Sequence, residues 1–426
     1  MTLGILGGGL SGLSLAYFYG SDCEVLEKDS VCGGLCRTIK KGRFLYDLGG
    51  HIIFSADKKI RNIMHKMLGK NKKQYRRNNK IWFKKRFVKY PFENGLASLP
   101  KKDIYECLFH FLNRPKLKPR NYKEWCYYRF GKGIAEKYLI PYSEKIWKIP
   151  TNEMGLDWIS GRIPDPPLED ILKSAIGIET EGYIQQLNFL YPKHGGIQSL
   201  IHAIEKKVHN IERNFEIRHI SKSRGKWMVS DGKREKIFNR IVSTLPLPDL
   251  IRAFDKVPAH VKKAAESLRW NSLICIMLAV RSKKPSDKFA VYFPQPELLF
   301  HRICYYDFFG GEYAPEGFST IVAEITCKPC DDIYKMEDSI LIEKVVSGLS
   351  SQGFINPKDV YITDVARSLY GYVINHLSYR KNLKIIYDFT QQTGIMLCGR
   401  FAEWQYLNMD ACIKHGMDCA ARLRTG

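Results

Sequence analysis

The 426-residue sequence predicts an α/β protein whose two chain ends build one domain, with a helical insertion and a sheet-rich region between them. Three observations carry this. The chain opens on an apolar run LGIL (3–6), a glycine turn GGGLSG (7–12) and a helical start LSLAYF (13–18). Near the other end, GIMLCGRF (394–401) reads as a strand closed by Gly399 and Arg400, with Ile413, Met417 and Ala420 at helical spacing beyond it. In between, NYKEWCYYRFGKGIAEKYLIPYSEKIW (121–147) is helical, with Trp125, Tyr128 and Phe130 assigned to one side. The runs SLICIMLAV and FSTIVAEIT are β-branched and apolar. These shifts predict a split domain of residues 1–95, 187–250 and 365–426, a helical insertion at 96–186 and an antiparallel-sheet region at 251–364. Within the split domain, YPKHGGIQSLI (191–201) reads as a returning segment in which Gly195 and Gly196 precede a helix.

A hydrophobic content of 45% over this length supports two or three cores rather than disorder. The N-terminus has no basic leader, and the longest apolar run, LICIMLAV (273–280), is too short to span a bilayer. A soluble, cytoplasmic protein is expected. Twelve cysteines then read as reduced thiols, and Cys327 and Cys330 as a strand end rather than half of a metal site. The net charge of +23 must attract anions, but the basic residues are scattered and accompany no nucleic-acid-binding pattern. The expectation is a solvated basic surface with a few arginines aimed at phosphates, and no nucleic-acid partner.

Strand, glycine turn and helix in immediate succession form a Rossmann-like dinucleotide fingerprint. Gly7, Gly9 and Gly12 let the backbone turn sharply and approach a pyrophosphate at the helix N-terminus. The next strand, CEVLEKD (23–29), ends in Glu27, placed to accept hydrogen bonds from a ribose. A second glycine turn, GGLCRT (33–38), supplies Gly34 and Arg37, and FLYDLGGHIIF (44–54) follows. Together these resemble the extended FAD fingerprint of glutathione-reductase-like flavoproteins, in the branch holding amine oxidases, protoporphyrinogen oxidase and UDP-galactopyranose mutase. The resemblance implies FAD bound by Gly7, Gly9, Gly12, Glu27, Lys28, Gly34, Arg37, Gly50, Arg400, Met409 and Asp410, with Asp410 as the cap of a closing helix and Arg37 near the flavin diphosphate.

The middle of the chain resembles the UDP-galactopyranose mutase family, above all its eukaryotic-like branch and related microbial homologues. PYSEKIWKIPTNEMGLDWISGR (141–162) matches a segment ending in a diphosphate-binding arginine, here Arg162, and YFPQPELLFHR (292–302) places Tyr292 and a second arginine, Arg302. The resemblance puts Tyr372 and Tyr406 among the phosphate donors and Tyr90 beside the nucleoside. It puts His51 against the flavin, and Phe54, Glu93, Ser143 and Trp147 in the substrate pocket. Two planar guanidinium groups suit a diphosphate at any accessible pH.

The implied activity is conversion of a nucleotide-linked pyranose to the furanose by covalent catalysis through N5 of reduced FAD, without net redox change, an isomerase step of glycan biosynthesis. NAD(P)H is a candidate reductant, a nucleotide-diphosphate sugar is the expected partner, and oligomer formation is left open. Two positions depart from the family: Glu93 stands where an amide is usual and Ser143 where an asparagine is usual, which leaves base and sugar unassigned. Segment 163–186 reads equally as a lid and as a surface loop with one short helix. The rival activity is an amine-oxidase- or protoporphyrinogen-oxidase-like oxidoreductase; a third reading is a flavin-binding protein without turnover.

Overall fold

The computed structural model describes residues 3–159, 163, 166–182 and 186–425. Arg162 lies outside the described residues. The chain ends meet as expected. A parallel five-stranded sheet runs in the order Met396–Leu397, Arg240–Ser243, Leu3–Leu6, Cys23–Leu26, Ile211–Glu212. Its middle strand, LGIL, is apolar throughout, as suits a strand covered on both faces, and Ile5, Val25 and Val242 are fully buried. Helix Leu10–Tyr19 follows the first strand and packs along the closing helix Met409–Thr425. Helix Gln198–Glu205 follows Gly195 and Gly196 as the sequence predicts.

The second sheet has seven strands in the order Val360–Val373, Trp270–Arg281, Phe318–Cys327, Arg302–Tyr305, Ala290–Tyr292, Lys80–Phe83, Arg86–Lys89. All neighbours are antiparallel except Ala290–Tyr292 and Lys80–Phe83. The expected boundaries at 95 and 365 cut through it, since it recruits a hairpin from the first segment and a long strand that crosses the second boundary. Short half-polar strands such as KIWF and RFVK carry no local mark of the sheet they will join; pairing across the chain decides it.

The insertion is helical: Lys101–Leu112, Tyr122–Ile134, a π turn Ala135–Leu139, Ile140–Trp147 and Leu168–Ala175. Its second helix buries Tyr122, Cys126 and Phe130, spaced by four, rather than the expected Trp125, Tyr128 and Phe130. Tyr128 sits off that stripe and is only half-buried. Cys327 ends a strand and is buried, Cys330 is exposed, and the described residues hold no metal-binding group of three or more His, Cys, Asp or Glu. Among the described residues no helix is long and apolar enough to cross a membrane.

Candidate active site

A cavity of about 1290 Å³ runs from the N-terminal glycine turn to the helical insertion. Ordinary small-ligand pockets span roughly 300–1,000 Å³, so this one has room for a second ligand beside a first. Of the site residues expected from sequence, all but Gly12, Asp410 and the undescribed Arg162 line it.

The nucleotide half is built by backbone. Gly7 has φ +106, and a Cβ on Gly12 would lie 2.0 Å from the Gly7 carbonyl oxygen, so the turn cannot close around any side chain there. Gly9 caps helix Leu10–Tyr19 with no side-chain cap, leaving its first N–H groups free for an anion. Glu27 ties the turn to the second strand: Oε2 accepts from Gly8 N (2.9 Å) and Oε1 from Asp29 N (2.9 Å). Burial raises its carboxyl above the usual range, against the pull of these two amides. Arg37 donates to Asp29 Oδ2 (2.6 Å) and to the Val31 carbonyl (2.7 Å), which directs its guanidinium to the carboxylates of Asp29 and Glu27. Sequence reasoning missed Phe215, Glu216 and Ile217, which line the same end. An edge of plain backbone after a two-residue strand leaves no motif.

The middle of the cavity is electrostatic. His51 follows Gly50, its Nδ1 lies 4.0 Å from Asp47 Oδ2, and that nitrogen has no hydrogen-bond partner. Burial pushes its pKa down to about 4, with Glu324 pulling the other way, so the imidazole is neutral at pH 7. Arg302 donates from Nη2 (2.5 Å) and Nε (3.1 Å) to Glu324, and Glu324 also accepts from Gly50 N (2.8 Å). This carboxylate therefore fixes Arg302 against the Gly50–His51 turn. Glu324 is fully buried in the strand FSTIVAEIT, and its charge within an apolar run was the signal available for finding it.

The closing strand contributes Arg400, which donates to the Leu407 carbonyl (2.9 Å) and the Gly371 carbonyl (2.8 Å) while its Nε has no partner. Asp410 differs from expectation. The helix starts at Met409, so Asp410 lies inside the first turn, and its carboxylate accepts from Ser55 Oγ (2.7 Å) away from the cavity wall. Met409 lines the cavity in its place.

The far half is built by aromatic side chains. Tyr90 and Tyr292 have ring centroids 4.8 Å apart, and Tyr142 meets Tyr292 edge-on at 5.5 Å. Trp147 packs edge-on against Tyr372 (5.8 Å) and Tyr406 (5.4 Å), and the Arg400 guanidinium lies over both tyrosine rings. Ser143 bonds the Tyr122 hydroxyl at 3.1 Å. Asn79, unforeseen in the sequence, donates to the Tyr292 hydroxyl (3.1 Å) and leaves its Oδ1 without a partner. Glu93 is buried at 3% exposure with no ion pair among the described residues, and burial raises its pKa to about 7. Near neutrality Glu93 therefore carries a proton part of the time and can donate as well as accept, as an amide does.

The glycine turn, the free helix N-terminus and the partnerless His51 Nδ1 and Arg400 Nε fit an elongated dinucleotide that carries a flavin ring at the middle of the cavity. Fold and cavity thus define a dinucleotide-binding flavoprotein with a second, aromatic pocket. The sequence profile of the flavin containing amine oxidoreductase family matches residues 10–424, so the chain belongs to that family and is an FAD-dependent flavoprotein.

Solved structures share its fold. A reduced UDP-galactopyranose mutase superposes with a TM-score of 0.91 at 23% identity, covering 100% of this chain and 95% of that one. A putative protoporphyrinogen oxidase from Exiguobacterium sp. 255-15 gives 0.77 at 16% identity, covering 100% and 98%. Putrescine oxidase bound to putrescine gives 0.65 at 14% identity, covering 100% and 99%.

Proposed function

We propose that this chain is a nucleotide-sugar mutase that converts an NDP-pyranose to the NDP-furanose with no net redox change. The observation that carries the reading is Arg302, held beside the Gly50–His51 turn in a pocket whose walls are Tyr292, Tyr372 and Tyr406. A guanidinium and phenols are donors suited to a diphosphate that is not the cofactor's own. A cationic amine would meet Arg302 and Arg400 at the same end of the cavity, which disfavours it. Arg162, outside the described residues, is proposed as the second guanidinium from its register in sequence; its neighbours Trp158 and Ile163 line the cavity.

Bound FAD in its reduced form supplies a nucleophilic nitrogen for exchange at the anomeric carbon. The chain's own residues do the rest. Glu324 takes Nε and Nη2 of Arg302 and the Tyr292 hydroxyl is hydrogen-bonded to the same guanidinium, so Arg302 and Tyr292 together are proposed to meet the departing diphosphate as its charge grows. Neutral His51 offers a partnerless Nδ1 for a hydrogen bond to the cofactor without adding charge. Tyr90 and Glu93 are assigned to the base, and Glu93 reads different base edges when protonated and when ionised. The aromatic lining excludes the water that would hydrolyse a reactive glycosyl group.

Glu324 also favours a second reading. Because it already neutralises Arg302, the pocket is less anion-seeking than an unpaired arginine would make it, which leaves room for an oxidoreductase of the amine-oxidase or protoporphyrinogen-oxidase type. The test is incubation of dithionite-reduced protein with a panel of nucleotide sugars. The mutase predicts pyranose-to-furanose conversion without consumption of reductant, and none with oxidised protein. Substrate-dependent flavin bleaching with peroxide release would establish the oxidoreductase instead.

A further inference from the structure

Helix Lys101–Leu112 turns Asp103, Cys107 and Phe111 inward. Its outward face would ordinarily be polar. Here it presents Tyr105 (64% exposed), Phe109 (48%) and Leu112 (58%) in one stripe, with the first two rings stacked at 5.8 Å. Leu117, in the loop that follows, is 84% exposed between Lys116 and Lys118.

The charge around this stripe is of one sign. Asp103 is taken by Lys84 and Lys137, Glu106 by Lys137, and Glu124 by Arg120. Lys101, Lys102, Lys116 and Lys118 are exposed and make no ion pair among the described residues, so the stripe is flanked at both ends by unpaired ammonium groups. We propose that this face docks the protein on an anionic bilayer surface, with Tyr105, Phe109, Leu112 and Leu117 in the interface and the lysines against lipid headgroups.

A nucleic acid would answer the lysines but gain nothing from the apolar stripe. A second copy of the chain, at net charge +23, would bring the same unpaired lysines face to face. An anionic bilayer answers both features at once. Each lysine near such a leaflet is worth about fivefold in affinity.

The experiment is co-sedimentation of the full-length FAD-loaded protein, at physiological salt, with phosphatidylcholine vesicles alone or containing about 30% phosphatidylglycerol. Binding to the anionic vesicles is expected to be at least about tenfold tighter than to the neutral ones. Phe109→Ser with Leu117→Ser should lose at least about tenfold, and Lys116→Glu with Lys118→Glu about 25-fold or more. Lys283→Glu with Lys284→Glu, an exposed pair elsewhere, should stay within about twofold if the site is local. Retained flavin and an unchanged melting midpoint show that the variants are folded, since every altered side chain is solvent-facing. Absence of vesicle binding overturns the proposal. So does wild-type binding by the serine variant, which would reduce the effect to diffuse charge. A wild-type dimer that the serine variant makes monomeric, or duplex DNA binding that the glutamate variant abolishes, in either case without vesicle binding, would assign the face to those partners instead.

Discussion

The two halves of the cavity are made of different material. At the nucleotide end, Gly7, Gly9, Gly12 and the Glu27 carboxylate act through backbone shape and lie within the first strand, turn and helix and the strand that follows. At the far end Tyr90, Tyr142, Tyr292, Tyr372 and Tyr406 come from five separated segments and act through side-chain packing. In the first half Gly7 and Gly12 admit no side chain, while a Cβ at Gly9 would meet no atom of the chain; the second half can be altered residue by residue. Mutations should therefore act on cofactor retention at one end and on turnover at the other, and that separation can be tested.

The largest effect is expected at the electrostatic centre between the halves. Arg302→Ala removes the proposed diphosphate donor and strands Glu324 as a buried unpaired charge. Turnover should fall about 10²–10³-fold, and stability by roughly 3–5 kcal/mol. Arg302→Ala with Glu324→Gln should recover most of the stability and none of the turnover, read by denaturant unfolding beside the furanose assay. Recovery of both would break the assignment of Arg302 to the substrate.

Next comes the glycine turn. Gly12→Ala forces a methyl to 2.0 Å from the Gly7 carbonyl, and the shift needed costs about 1–3 kcal/mol or more. Flavin bound per protein, measured by fluorescence after release, should drop about tenfold or more. The few molecules that keep flavin should turn over near normally. If retention were untouched and turnover lost, the division of labour between the halves would be wrong.

The same division explains what could be read in the sequence. A turn that demands glycine at fixed spacing leaves its demand in the sequence, so Gly7, Gly9, Gly12 and Glu27 were legible from residues alone. The tyrosines of the far pocket have no such spacing. Tyr292 and Tyr372 could be nominated only through family resemblance, and Tyr142 and Asn79, one residue and eleven residues from nominated positions, were missed. Glu324 was missed for a different reason: it is a lone charge in a strand that otherwise reads as core, and its cross-strand partner Arg302 and the Gly50 amide, both distant in sequence, explain why a carboxylate is tolerated there. Domain limits failed where strands 80–89 and 360–373 joined a sheet that their own sequence does not announce.

A smaller effect is expected at Glu93. Its folded pKa of about 7 lies above the ordinary value of 4.5, so the protonated form is favoured in the fold. That contribution is complete below the ordinary value and is lost as pH rises to about 7, after which the ionised group is a constant cost. Glu93→Gln should match the parent at pH 4 and exceed it by about 1–3 kcal/mol at pH 8 in urea unfolding. If Glu93 meets the base as proposed, the parent's preference among nucleotide bases should change between pH 6 and 8 and that of Glu93→Gln should not. A parallel pair of stability curves would mean that Glu93 titrates alike in the folded and unfolded chain, and is then an ionised acceptor near neutrality.

The smallest expected effect lies where the closing strand and helix join the halves. Glu403 Oε2 accepts from Gly399 N (2.8 Å) and from His415 Nδ1 (2.5 Å), which fixes the turn that carries Arg400. The Glu403 bond raises the His415 pKa above 6.5 against the opposing effect of burial. A raised histidine stabilises fully below its unfolded value and loses that contribution as pH climbs through the folded one. The neutral ring keeps a hydrogen bond to Glu403, so only the charge-assisted part is lost, about 1 kcal/mol. Thermal unfolding should show the parent's advantage over His415→Gln shrinking as pH rises past 6.5. Because Arg400 spans the Leu407 and Gly371 carbonyls, the same variant should loosen flavin retention and turnover together, unlike a change confined to either half.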